Sequence, residues 1–377
     1  MSAGWLRIFT THSGGAERQA SALLPLRIAS RGMCCSVGHN ARAATAAIRA
    51  RMNHFRETDF LAPNGKPMMG AALYEVEQWG AVRSKAMFEA VLKESLAPFG
   101  GVASEDIALL LLLPEEDRPG ASIGWAEFAT LKGLRLPGAS YHPESSLLPL
   151  GKAGIGTAVQ LAQNLFGRST TPPRLVVLIA VDTYFTAATI SHYLRHDRVK
   201  SANNPDGFTP GEAAAAIVLT PTPGRSPALW IEGAATAEEP APLGADAPCR
   251  AAGLKQAIRG AAQAAQCEVA NLAFHASGVS GESWYFREAS LAVTQSLERR
   301  IESFPHEIIA RSVGETGAAA PVLTLAWLAD VMGRDDGPGR EDCCISPMTT
   351  ACDRLWLSAT GYEWGPNHAN QRICQQS

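Results

Sequence analysis

Histidines at helical spacing, cysteine pairs and acids set in glycine turns are the patterns in this chain that could do chemistry. His192 and His196 stand four apart in ISHYLRH, so a helix would place both on one face, either as metal ligands or as solvated side chains. No third ligand lies nearby in the sequence, which favours the solvated face. The eight cysteines include two adjacent pairs, Cys34-Cys35 and Cys343-Cys344, but no CxxC spacing and no histidine cluster of the kind that holds zinc. This usage fits a reduced, cytoplasmic protein, and neither a metal nor a cofactor is expected. The string Asp206 to Leu219, DGFTPGEAAAAIVL, puts Asp206 and Glu212 in a glycine-bounded turn that feeds a small-residue apolar strand. In such turns acids usually cap backbone amides.

Positioning these groups requires a large core, and the composition supplies one. The chain has 377 residues, 46% hydrophobic and 18% charged, which excludes a disordered tail or linker. Its length suits about two domains, or one large α/β unit with an internal duplication. With 33 basic and 36 acidic residues the net charge is −3, so no basic footprint for nucleic acid or an anionic membrane exists. The longest apolar run, Ile107 to Leu113, is far short of the ~18 residues of a membrane-spanning helix and reads as a buried strand.

The elements alternate. A strand from Leu26 runs into the turn of GMCCSVG, and Asn40 then stands in cap position before a helix reaching Met52. A helix over 81–96 leads to the strand 106–113. The segment Gly151 to Phe166 puts Ile155, Ala158, Val159, Ala162, Leu165 and Phe166 on one helical face with small residues elsewhere, so that helix can be buried nearly all round. The unbroken apolar run 174–181 suits a central strand covered on both faces. In the second half, strands at 228–232, 272–276 and 354–359 flank helices at 254–265 and 317–332. Such βαβ alternation favours a parallel sheet with helices on its faces. The Pro/Ala-rich stretches 221–227 and 238–248 read as surface loops and place a boundary near residue 222. Residues 1–25 lack a continuous apolar stretch and carry Glu17 as the only acid before Glu57, which suits a flexible extension or a transit-like segment rather than a secretory signal.

Five strings, in order, resemble the β-ketoacyl synthases, condensing enzymes of the thiolase fold. DGFTPGEAAAA is similar to the family's DGF-x-x-GEGA signature, and Gly151 to Ala162 resembles the start of its buried nucleophile helix. SVGETGAAAP (Ser312 to Pro321) is similar to GHT-x-GAAG. SATGYEWGPNHAN (Ser358 to Asn370) resembles the C-terminal SFGFGG-x-N turn, and Gly32 to Gly38 the GMG-x-x-x-x-G opening. The resemblance spans residues 26 to 373. It implies an α/β chain of two fused βαβαβαββ halves, 26–222 and 223–377, in five layers α-β-α-β-α. It also implies a homodimer or heterodimer.

The same resemblance implies a Cys at the N-terminus of the buried helix, where the helix dipole favours a thiolate and backbone amides bind the thioester oxyanion. Counting back from Gly151, that position falls on Leu148. Ser145 and Ser146 are the nearest hydroxyls, and Ser146 would also need an adjacent base to serve. The first catalytic histidine position, in HGTGT, falls on Ser277 of SGVSG, with His275 two residues earlier on the same side of a regular strand. His275 itself reads best as a core or edge histidine with one satisfied hydrogen bond. The second position, in GHT, is Glu315, which has no proton to offer an enolate when ionised. Losing the nucleophile alone costs of order a million-fold in a site that acts as a unit, and one oxyanion donor roughly 3 kcal/mol. Trp364, in the turn that replaces GFGG, would narrow an acyl channel, or would pack at an interface. Cys34, Cys35, Cys343, Cys344 and Cys352 do not open the buried helix and do not restore the site.

The expectation is therefore a catalytically inactive protein of the condensing-enzyme fold that binds another protein as an accessory or chaperone. GMCCSVG followed by ARAATAAIRARM and ETDF resembles thiolase-like accessory proteins of bacterial type VI secretion loci, with a toxic effector as the partner. The alternatives are an acyltransferase with a non-standard nucleophile and the inactive, chain-length-factor-like subunit of a heterodimeric condensing enzyme.

Overall fold

A computed structural model describes residues 24–121, 135–136, 139–224, 228–334, 337 and 354–361. The strands are β1 (Leu26–Cys35), β2 (Arg56–Leu61), β3 (Pro67–Gly70), β4 (Ile107–Leu112), β5 (Arg135–Leu136), β6 (Ala139–Ser140), β7 (Ser146–Leu148), β8 (Leu175–Thr183), β9 (Glu212–Thr220), β10 (Trp230–Glu238), β11 (His275–Ala276), β12 (His306–Glu307) and β13 (Arg354–Gly361). The helices are α1 (Ala41–Arg49), α2 (Gly80–Leu96), α3 (Gly154–Arg168), α4 (Ala187–Arg195), α5 (Ala252–Ala264), α6 (Ser283–Ser296), α7 (Ala310–Val313) and α8 (Ala319–Val331).

A seven-stranded mixed sheet runs β13-β10-β1-β9-β8-β4-β7. β8, β4 and β7 are parallel, and β9 is antiparallel to both β8 and β1. β1 meets β10 only through Leu26 with Ile231 and Arg27 with Trp230, so the sheet is joined by a short pairing there. β11 and β12 form a separate parallel pair.

The all-apolar strands feed two cores at once, because successive side chains point to opposite faces. Leu109, Leu111, Val177, Ile179, Ala214 and Ala216 pack with Met87, Phe88 and Val91 of α2 on one face. Leu110, Leu112, Leu178, Ala180, Ala213 and Ala215 pack with Ile155, Val159, Leu323 and Ala326 of α3 and α8 on the other. Each fully buried Leu or Ile among them contributes about 1.5–3 kcal/mol relative to exposure. β10 and β13 lie beyond α3, and α5 and then α6 cover their far side. The layers are therefore helix, sheet, the small-residue helices α3 and α8, the β10–β13 end of the same sheet, and helix.

Small residues make that middle layer possible. A Cβ on Gly156 would stand 2.8 Å from the Ala235 carbonyl oxygen, so only glycine lets α3 lie this close to β10. α8 has no polar face; Thr324 returns its hydroxyl to the Ala320 carbonyl at 2.8 Å. Asn40 caps α1 as expected, accepting from the Ala43 amide at 2.9 Å.

Three expectations are corrected. The strand over 272–276 shrinks to His275–Ala276. The helix beginning at Gly151 starts as a 3₁₀ turn over Gly151–Ala153, and α-helix begins only at Gly154. His192 is not on a solvated face: it is buried, with its ring edge-on to Tyr193 at 5.1 Å, because α4 packs beside the aromatic cluster of Tyr184, Tyr193 and Phe208. Among the described residues no helix is long and apolar enough to cross a membrane.

Candidate functional site

The mouth of α3 faces the segment leading into α8, and that junction collects the polar groups. Leu148 is not at this mouth. It ends β7, opposite Leu112, and is buried in the inner core, because Pro149, Leu150 and the 3₁₀ turn intervene before α3 begins. The residue that meets Glu315 is Lys152. Its Nζ donates to Glu315 Oε2 at 2.6 Å and to the Gly278 carbonyl at 3.2 Å, with the Lys152 side chain 40% exposed and Glu315 5%. Gly151, just before it, holds φ +58°, a conformation glycine adopts freely, and a Cβ there would collide with the Glu115 carboxylate.

Glu315 is firmly held. Gly317 N donates to Oε1 at 2.8 Å, Ser280 Oγ donates to Oε2, and the Glu315 backbone bonds to Thr209 and Gly211. Burial works against the carboxylate, but Lys152, Ser280 and the Gly317 amide together keep it ionised below the usual carboxylate range. It therefore accepts hydrogen bonds and gives none at neutral pH. Nearby, Asp182 receives Arg118 bidentately and the Ala318 amide at 2.8 Å, closing the start of α8.

Ser277 lies one residue before Gly278. Its Oγ is 2.6 Å from His306 Nε2, and His275 stacks on the His306 ring with centroids 4.0 Å apart. His275 of β11 and Ser277, the residue just after that strand, thus approach one partner. The structure departs from the expectation for the His275 ring, whose nitrogens are both buried without a hydrogen bond; only its backbone is satisfied, by Pro305. Burial, then the neighbouring His275 and Arg311, pushes His306 down to about 4, and burial also lowers His275. Both imidazoles are neutral at physiological pH.

The remaining candidates are placed elsewhere. Ser146 Oγ donates to the Glu144 carbonyl at 3.3 Å, and Ser145 Oγ donates to His142 O at 2.7 Å while accepting from Leu109 N. Asp206 caps a backbone amide, as such turns suggest: it accepts Ser283 N at 2.6 Å and Ser283 Oγ at 2.7 Å at the start of α6. Glu212 does more than cap, taking the Arg83 guanidinium as well as Leu73 N and Thr183 Oγ1. Cys34 and Cys35 are buried thiols pushed up to about 12 and about 11 by burial, unfit as nucleophiles. Trp364, Cys343, Cys344 and Cys352 lie outside the described residues. For a metal, the described residues bring Glu239, Cys249 and Glu288 within 4.8 Å of one another, and Glu239 already accepts Gly253 N at 2.8 Å.

Lys152 and His306 were not legible as site residues. Lys152 could have been suspected from the Gly-Lys pair at the mouth of a small-residue helix. His306 carries no spacing signal, since β11 and β12 bring it to His275 across 31 residues of sequence.

No family model matches the chain, and no curated protein matches it by sequence. Solved structures do resemble it. One is a type II PKS acyl-carrier protein in complex with its ketosynthase bound to the hexaketide, at 12% identity and TM-score 0.63 over 81% of this chain and 86% of that one. The ketosynthase from module 6 of the bacillaene synthase of Bacillus subtilis 168 matches at 13% identity and TM-score 0.62, over 89% of this chain and 66% of that one. The ishigamide ketosynthase/chain length factor matches at 14% identity and TM-score 0.62, over 83% and 87%. At such identities the likeness establishes architecture: this chain has the duplicated, five-layered thiolase-like fold of the ketosynthases.

Proposed function

We propose that this is a condensing-enzyme-fold protein that has lost carbon–carbon bond formation and works through a protein partner. The observation that carries the reading is the Lys152–Glu315 pair. An ammonium held by a carboxylate occupies the mouth of the buried helix, where condensation would need a thiolate facing proton donors. Glu315, ionised and filled by Lys152, Ser280 and Gly317, would repel a developing enolate.

The partner supported best is a Cys-bearing ketosynthase, with this chain in the role of a chain length factor. Solved ketosynthase/chain-length-factor pairs are among the proteins of this architecture. A secretion effector, suggested by the N-terminal strings, is the competing partner, and the chain would then be its accessory or chaperone. Domain halves of 26–222 and 223–377, with 1–25 as an extension, belong to this proposal.

The test offers the purified chain acyl and malonyl groups on carrier protein, alone and with a Cys-bearing ketosynthase. Neither carbon dioxide release nor β-ketoacyl product is expected from the chain alone, and a stable complex with defined product length is expected from the pair. β-Ketoacyl product from the chain alone overturns the reading. A complex with a co-encoded effector and none with a ketosynthase moves the partner to the secretion class.

A further inference from the structure

We propose that Ser277 and His306 form a nucleophile–base pair that takes an activated acyl group onto serine and releases it to water. This goes beyond the loss of condensation and does not depend on it, since it uses neither Lys152 nor Glu315 as nucleophile. Its basis is geometric. Ser277 Oγ and His306 Nε2 stand at 2.6 Å, inside the reach a hydroxyl needs to pass its proton to imidazole. The His306 ring is held in that pose by His275 stacked at 4.0 Å and by Phe286 edge-on at 6.2 Å. Ser277, His306 and Ser280 are half-buried, so a substrate can reach them.

The step balances without a further reagent. Ser277 Oγ forms a bond to the acyl carbon as its proton moves to His306 Nε2. The bond to the leaving oxygen or sulfur breaks, and that atom takes the proton from Nε2. Water then repeats the sequence: His306 accepts its proton, the new C–O bond forms, and Ser277 leaves reprotonated. The sum is acyl ester or thioester plus water giving acid plus alcohol or thiol. Because burial holds the His306 imidazole at about 4, it is a weak base at neutral pH and the rate is modest.

The experiment treats the full chain with a fluorophosphonate and maps the adduct by peptide mass spectrometry. In parallel it follows p-nitrophenyl acetate hydrolysis by the unmodified chain, Ser277→Ala, His306→Gln and Ser146→Ala. The expected adduct is on Ser277, with hydrolysis falling at least about 100-fold in Ser277→Ala and His306→Gln and unchanged in Ser146→Ala. The proposal is overturned if the folded chain takes no label, if the label maps to another residue, or if folded Ser277→Ala hydrolyses like the parent. Should Ser277→Ala fail to fold, the site of the label on the unmodified chain decides.

Discussion

Glu212 follows Gly211, whose amide donates to the Glu315 carbonyl at 2.9 Å, yet the two carboxylates sit in different surroundings. Glu212 is sealed. Its partner Arg83 is 6% exposed and itself gives bonds to the carbonyls of Leu73, Val76 and Gln78, so α2, β9 and the loop between β3 and α2 are tied at one point. Glu315 is equally buried, but its cation, Lys152, reaches it from a half-open mouth. The same charge pairing is sealed in the first case and has one partner in reach of solvent in the second. A buried ion pair contributes little against an apolar replacement, but breaking one by removing a single partner is costly. Solvent at one partner lowers that cost, which makes the contrast measurable.

The largest effect is expected at the sealed pair. Arg83→Ala strands Glu212 without a cation in a dry core and should destabilise the fold by about 3–5 kcal/mol in urea unfolding. Lys152→Ala leaves Glu315 with Ser280 and Gly317 and admits water, so its cost should be about 1 kcal/mol. Equal losses in the two variants would erase the distinction between the pairs.

Acid titration sharpens the contrast further. The depressed Glu315 contributes stability above the ordinary carboxylate range, and this is lost as pH falls through its lower folded value. His306 acts in a different window. Held at about 4 in the fold against 6.5 unfolded, it leaves the unfolded chain binding more protons between those values, so stability drops as pH falls from 6.5 towards 4. The groups facing it, His275 and Arg311, act in the same sense by disfavouring its charge. His306→Gln should flatten the stability profile between pH 6.5 and 4, and Lys152→Ala should change it around and below the ordinary carboxylate value of 4.5. An unchanged slope in His306→Gln would remove the histidine from the account.

How far these regions could be read in advance follows from the range of the interactions that build them. The β4, β8 and β9 strands were legible because their apolar runs state double coverage locally, and α3 and α8 because small residues recur at helical spacing. β11 shrank to a two-residue pair, and α6 went unseen, because their positions depend on contacts between distant segments. At the site, Glu315 was legible from its string. Its cation was not: counting back along the chain stopped at Leu148, since nothing in the residues marks where a strand ends and a 3₁₀ turn is inserted. The Ser277–His306 contact needed β11 and β12 to be paired, which local pattern does not specify.

The smallest effect is expected at a third acid, fully outside the core. Asp206 is exposed, and hydrogen bonds to the Ser283 amide and hydroxyl hold its carboxyl below the ordinary value. The amide belongs to the first turn of α6, where helix geometry leaves N–H groups without partners, so the carboxylate satisfies one of them and complements the helix dipole. Water replaces that acceptor readily, unlike the donors around Glu212. Asp206→Ala should therefore cost less than about 1 kcal/mol, and Asp206→Asn, which keeps an acceptor, less again. If Asp206→Ala instead matched Lys152→Ala in urea, exposure of the cation would not be what weakens the Glu315 pair. The ranking of the three acids would then reflect the segments they tie together: α2 to β9, α3 to the entry of α8, and the Asp206 turn to α6.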